Sequence, residues 1–268
     1  MVTDHAKRIQ EISITGSNHW PNCVPLSWKP LWKLSKTEFE DAINLRFHQL
    51  PNDTPLVCPG ENCHEPFNLA HMDQCTAGGL IIKRHDYIKL TLAKFAESTY
   101  GTHSIEVEPF LGELTQEECE LINGNLTDKA RSDILIKDFR EMHKNTYIDV
   151  RIVSVLAESY KNLDVSKMIS NIEKVKNDKY SSRIKTTLGA DFIPFVMTSG
   201  GSIGPAAKMV LKIMADRLAA KSYETKSQIL NEIKSDLSMS LLKSKIRGVR
   251  SIRKSLAAQI SDLRSLSY

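Results

Sequence analysis

The sequence predicts an α/β fold, a mixed β-sheet flanked by helices, and three observations carry that expectation. Helical and strand-like periodicities follow one another in the order helix, strand, strand, strand, helix, strand, which calls for a sheet with helices packed on its faces. Two apolar, β-branched stretches, DILIKDF and YIDVRIVSV, are separated only by a loop of about Arg140 to Asn145, short enough for an antiparallel hairpin. A long amphipathic stretch then leads into FIPFVM, which reads as a buried strand.

Taken in order, residues 1–34 hold Trp20, Trp28 and Trp32 among several prolines and read as a loop-rich lead-in. Ser35 opens a helix, because SKTE places Glu38 three residues on in a capping-box pattern. Phe39, Ile43, Leu45 and Phe47 are expected to form its apolar side. Residues 55–79 form a compact Cys/His segment rich in Pro, Gly and Asn. A second helix is expected over about Lys83 to Ser98, with Ile88, Leu92 and Phe95 buried and Gly101 just past its end. HSIEVEPF alternates from Ile105 to Val107 as a strand does. The long helix, about Asp164 to Arg183, is expected to bury Val165, Met168, Ile169, Ile172 and Val175. SGGSIGP is a turn that lacks the lysine and spacing of a phosphate-binding loop, and helices run from Pro205 onward. The expected organisation is a lead-in and helix (1–54), a knuckle (55–80), a core (81–204) and a basic helical extension (205–268).

Hydrophobic residues make up 41% of the chain and charged residues 25%, as in ordinary soluble globular proteins. No apolar run approaches the roughly 20 residues that span a bilayer, and the start MVTDHAKRIQ is too polar for a secretory signal. A membrane partner and secretion are therefore not expected, and the location is read as intracellular. The five cysteines, Cys23, Cys58, Cys63, Cys75 and Cys119, are odd in number, which argues against a disulfide framework.

Three of those cysteines crowd together with a histidine. Cys58 and Cys63 are followed by His71 and Cys75, a C-x4-C, H-x3-C spacing within 18 residues. Zinc takes four N or S ligands in a tetrahedron, and a site filled by four protein ligands has no open position for water. The expected metal is therefore a structural zinc ion, with His64 as a spare ligand.

The hairpin brings two acids together. With its turn centred near Met142, Asp133 faces residue 151 and Asp149 faces residue 135, which leaves the two acids in diagonal reach. Tyr147, Asp149, Arg151 and Val153 share one face of their strand. A carboxylate pair can hold Mg²⁺ or Mn²⁺, and such an ion activates water and stabilises phosphoryl charge. A solvated acid pair is the plain alternative. Its weakness is the apolar run around Asp149, in which charges need partners or a metal. Continuing the buried stripe of the long helix places Lys176, Lys179 and Tyr180 on the core-facing side. Lys176 then either points at the acid pair or snorkels to water.

The order of these motifs resembles the carboxy-terminal region of site-specific non-LTR retrotransposon polyproteins. The stretches that carry the resemblance are CPGENC with HMDQC, RHDYI (Arg84 to Ile88), EPFL (Glu108 to Leu111), RSD (Arg131 to Asp133), YIDV (Tyr147 to Val150), KNDKY (Lys176 to Tyr180) and FIPFVMTSGG (Phe192 to Gly201). They cover roughly residues 40–215. The resemblance implies a PD-(D/E)xK restriction-endonuclease-like core without a polymerase, cutting DNA and working with DNA and element RNA, in the nucleus if chromosomal DNA is the target. It implies that Asp133 and Asp149 bind the catalytic metal and that Lys176 takes the role usual for the strand lysine. Two residues depart from the pattern: Ser132 replaces a proline, and Arg151 stands where lysine is usual. Arginine does not deprotonate, so Arg151 can offset charge but not accept a proton. A catalytically inactive, nucleic-acid-binding remnant is the alternative.

Other signals read two ways. Arg84 and His85 either brace the knuckle and grip phosphate or form an exposed helix start. Glu97 is either a third metal ligand or a surface residue. Lys243, Lys245, Arg247 and Arg250 belong to a tract with six basic residues and no acid between Lys243 and Lys254. That tract either tracks a phosphate backbone or forms a solvated basic helix.

Overall fold

A computed structural model describes residues 4–14, 19–22, 29–60, 63–112, 130–160 and 162–265. Cys23, Trp28 and Cys119 lie outside the described residues. The chain forms a mixed α/β fold with one four-stranded sheet, ordered β1 (Ile105–Val107), β2 (Ile134–Ile136), β3 (Thr146–Val153), β4 (Asp191–Thr198). β1 pairs antiparallel with β2, and β2 with β3, while β3 and β4 run parallel through the full length of both.

Helices cover both faces. They are α1 (Asp4–Ser13), α2 (Lys36–Arg46), α3 (Leu69–Gln74), α4 (Leu80–Tyr100), α5 (Val165–Leu188), α6 (Pro205–Ala219) and α7 (Lys226–Ser265). The period of two along β3 separates the faces. Ile148, Val150 and Ile152 pack in one apolar cluster with Ile88 and Leu92 of α4, Val210 and Met214 of α6, and Ile229, Ile233 and Leu237 of α7. The segment beyond residue 204 thus supplies part of the main core. Tyr147 and Val153 face the other way, in clusters with Ile184 and with Met168, Ile169 and Ile172 of α5.

Local signals explain most element ends. Ser35 caps α2 with a complete capping box shared with Glu38. Asp164 accepts the N–H groups of Ser166 and Lys167 at the start of α5, and Gly189 closes that helix in the left-handed region at φ 57°, which glycine adopts without a Cβ penalty.

Several expectations need correction. α1 lies within the stretch read as a loop-rich lead-in; its buried residues are Lys7, Arg8 and Glu11, polar side chains that leave no apolar stripe to see. Phe39 and Phe47 of the α2 region are exposed, and the helix buries Ala42 and Asp41 instead. Val175 is 65% exposed, because it falls at the margin of the α5 stripe. The register of β2 on β3 pairs Ile134 with Ile148, so the hairpin centre lies one residue earlier than expected, and the partner of each residue shifts by two.

Candidate functional site

The register shift brings the two acids closer than the diagonal arrangement. The regular ladder stops at Ile134 and Ile148. Beyond it, Asp133 N–H donates to Ile148 O at 3.2 Å and the Ser132 hydroxyl donates to the same carbonyl at 2.9 Å. The Val150 N–H turns to the Asp133 side chain, donating to Oδ2 at 2.6 Å. A carboxylate takes the place of a main-chain acceptor just past the end of the ladder, which sets Asp133 beside the strand that carries Asp149.

Asp149 meets α5. Lys176 Nζ lies 2.8 Å from Asp149 Oδ2, so this lysine reaches the acid pair rather than snorkelling away. That oxygen is buried and takes no hydrogen bond besides the ion pair. Burial pushes the Asp149 carboxyl above its ordinary range; Lys176 opposes the rise and Asp133 adds to it. Arg151, two residues on along the same face, is exposed and makes no ion pair among the described residues. Lys179 is exposed with its ammonium 5.0 Å from the Tyr180 ring centroid.

The RHD stretch at the start of α4 divides its work. His85 Nε2 lies 3.2 Å from both Asp133 Oδ2 and Val150 O, inside the acid cluster and away from the knuckle. The hydrogen bond to Asp133 raises the His85 pKa above its ordinary value, against the opposing effect of burial. Arg84, expected as a nucleic-acid contact, is buried and donates to the Asp73 carbonyl at 2.7 Å. It braces the knuckle. Asp86 pairs with Lys89 at 2.9 Å. Glu97 lies 12 residues beyond His85, about 18 Å along the helix, so the position on α4 that meets the acids belongs to a histidine.

The knuckle has the dimensions of a metal site. The ligand atoms of Cys58, Cys63, His71 and Cys75 lie within 4.8 Å of one another. Cys58 and Cys75 sulfurs are 3.7 Å apart, Cys63 and Cys75 3.9 Å, and Cys63 Sγ to His71 Nε2 3.5 Å. A zinc tetrahedron with ordinary bond lengths has edges of about 3.8 Å between sulfurs and about 3.5 Å from sulfur to nitrogen, so the four residues are compatible with zinc. Burial pushes the Cys75 thiol up to about 11, a thiol that metal binding would deprotonate. His64 is exposed and outside the cluster.

Behind the knuckle lies a polar cluster that the sequence did not announce. Asp73 of α3 is 1% exposed. Its Oδ2 accepts from Arg8 at 2.8 Å and from the Ser199 hydroxyl at 2.7 Å, and Lys245 Nζ stands 3.0 Å from Oδ1. Arg8 also pairs with Glu11 at 2.9 Å. Glu11 in turn accepts the Gly200 N–H at 2.8 Å. A Cβ on Gly200 would sit 2.2 Å from the Glu11 carboxyl carbon, so only glycine allows this approach.

The basic tract is divided: Lys245 is turned inward, while Arg247 and Lys254 are exposed. Lys245 is enclosed against Asp73, and burial lowers its pKa. Arg250 pairs with Glu38, Arg253 with Asp41, and Lys243 reaches Pro30 O. Arg247 is exposed, stacked 4.9 Å from the Tyr87 ring centroid. Lys245 lies four residues beyond Leu241 and three beyond Leu242, both buried. The stripe argument that found Lys176 would have found it too.

No protein-family model matches the chain, and no curated protein matches it either. No described helix is long and apolar enough to cross a membrane.

Proposed function

We propose that the chain is a divalent-metal-dependent DNA endonuclease with a PD-(D/E)xK-type core, and that its knuckle holds a structural zinc ion. The observation that carries the reading is the convergence of Asp133 just before β2, Asp149 of β3 and Lys176 of α5, with Lys176 Nζ 2.8 Å from Asp149. The contact places a cation where phosphodiester hydrolysis would use one, and that supports the nuclease over a binding module without chemistry. Asp149 Oδ2 is taken up by Lys176, so a cation held between the two carboxylates would meet the other oxygen of Asp149.

When bound, a divalent cation supplies Lewis acidity and an activated water. Asp133 and Asp149 would hold it. Lys176 brings N–H donors to the acid pair, where they orient water or offset charge on the phosphoryl oxygens. Arg151 and Lys179 are exposed cations near the acids and meet the flanking phosphates, contacts that position DNA without reading its sequence.

Supercoiled plasmid with Mg²⁺ or Mn²⁺ tests the reading. The unaltered protein is expected to nick, and Asp133→Asn, Asp149→Asn and Lys176→Ala are each expected to lower the rate by on the order of 10²–10³. Nicking that persists in both acid variants would refute the assignment. Binding should also separate exposed from enclosed cations. Arg151→Ala and Lys179→Ala are each expected to reduce the slope of log affinity against log salt by about one. Lys245→Ala is expected to leave that slope unchanged, because its ammonium is enclosed against Asp73. Fluorescence anisotropy with a labelled duplex across a salt series measures all three.

A further inference from the structure

We infer that His85 is a positioning residue for Asp133, fixing which carboxylate oxygen faces the proposed metal site; the inference rests on the nuclease reading. The Asp133 Oδ2 atom has two in-plane lone pairs. The Val150 N–H occupies one at 2.6 Å and His85 Nε2 the other at 3.2 Å. Both donors grip the same oxygen, so the carboxylate is held against rotation and Oδ1 remains to meet a cation.

The same imidazole nitrogen stands 3.2 Å from Val150 O. A ring nitrogen between a carboxylate and a carbonyl, both acceptors, must carry a hydrogen. His85 thereby ties Asp133, the residue before β2, to the carbonyl of Val150, the residue that follows Asp149. It does so at the point where the main-chain ladder between β2 and β3 has ended. The strands are still joined there by Asp133 N–H to Ile148 O and by Val150 N–H to Asp133 Oδ2, and the imidazole adds a side-chain tie to these two.

The histidine is itself held. Its Nδ1 faces Asp86 Oδ1 at 3.4 Å, and Asp86 is pinned by Lys89 at 2.9 Å. Arg84, one residue before, is fastened to the Asp73 carbonyl, and Ile88, three residues after, is fully buried. Groups that hydrogen-bond a ligating carboxylate in this way set its orientation, and their loss lowers metal affinity or activity by about 10–100-fold.

The experiment uses the full-length, zinc-loaded protein and Mn²⁺ as the probe, with calorimetric binding and plasmid nicking measured in parallel. His85→Ala is expected to weaken Mn²⁺ binding and to lower kcat, each by about 10–100-fold, with KM for DNA unchanged. His85→Gln, whose amide N–H can reach the same acceptors, is expected to recover most of both losses, and melting curves confirm that both variants are folded. An alanine variant that binds Mn²⁺ and nicks like the unaltered protein overturns the inference, as does a glutamine variant no better than alanine. If Asp133→Asn and Asp149→Asn bind Mn²⁺ as the unaltered protein does, the metal-site reading itself fails, whatever His85 does. If the unaltered protein takes up no Mn²⁺, both fail.

Discussion

Replacing Asp73 by alanine is expected to destabilise the fold by roughly 3–5 kcal/mol, the scale of breaking a buried ion pair from one side. The carboxylate is enclosed and faces Arg8, Arg84 and Lys245. Without it Arg8 keeps Glu11 and Lys245 keeps only that same, shared carboxylate nearby, while Arg84 keeps a buried charge whose ion-pair partner is gone. The cost is mostly that of the stranded cations, so it exceeds anything the lost hydrogen bonds alone would give. Asp73→Asn preserves the shape and the acceptor oxygen and is expected to cost less than alanine, yet still to be plainly destabilising. Urea unfolding at neutral pH measures both. A loss below about 1 kcal/mol for the alanine variant would place it with ordinary surface changes and show that the cluster does not tie these segments together.

The same carboxylate gives a pH dependence whose sign is fixed. Burial alone would raise the Asp73 pKa; Lys245, Arg8 and Arg84 outweigh it and hold the group far below the usual carboxylate range. A folded-state pKa below the unfolded one contributes stability that is fully present above the unfolded value, about 3.9, and is lost as pH falls toward the folded value. The unaltered protein is therefore expected to lose stability below about pH 4, and the alanine variant to lose less over the same range. Equal acid sensitivity in the two proteins would contradict this account.

What the sequence shows of this molecule follows from what periodicity can report. A period of two reveals that Asp149 and Arg151 share a face, and the α5 stripe places Lys176 on the core-facing side, where it also placed Lys179, which is exposed. Both statements concern one element at a time. The register that sets Asp133 beside Asp149 depends on the turn, and an error of one residue in its centre moved every partner by two. His85 is further out of reach, because it comes to Asp133 from 48 residues away in the chain, across a helix-to-sheet packing that no local pattern encodes. The Asp73 cluster is the extreme case. Its members come from α1, α3, α4, the turn after β4, and α7, and each reads alone as an ordinary solvated charge. Lys245 is the exception, since its place on an apolar stripe was visible. Its neighbours in a run of basic residues suggested a surface, and composition outweighed spacing in that reading.

Chelation of the knuckle metal is expected to have an effect of similar size and to be felt well beyond the knuckle. The helix that carries His71 is six residues long, too short to persist without tertiary support. Its support is the four-residue ligand set together with Phe67, Met72 and Val249. Asp73 sits on this same helix between His71 and Cys75, so release of the ligands loosens the anion that neutralises Arg8, Arg84 and Lys245. Structural zinc is worth more than 10 kcal/mol in small peptides; a loss of even 4 kcal/mol in a chain of this size corresponds to about 10 °C in Tm. Loading is expected at one zinc per chain, with EDTA or Cys75→Ser lowering Tm by at least about that amount. The two large effects should also be coupled. If Asp73 is the link through which the knuckle supports the rest, zinc removal from Asp73→Ala will cost markedly less than from the unaltered protein, a non-additivity of about 1–3 kcal/mol. Strict additivity would show that the knuckle and the ion cluster stabilise the fold independently, and that their adjacency on α3 transmits nothing.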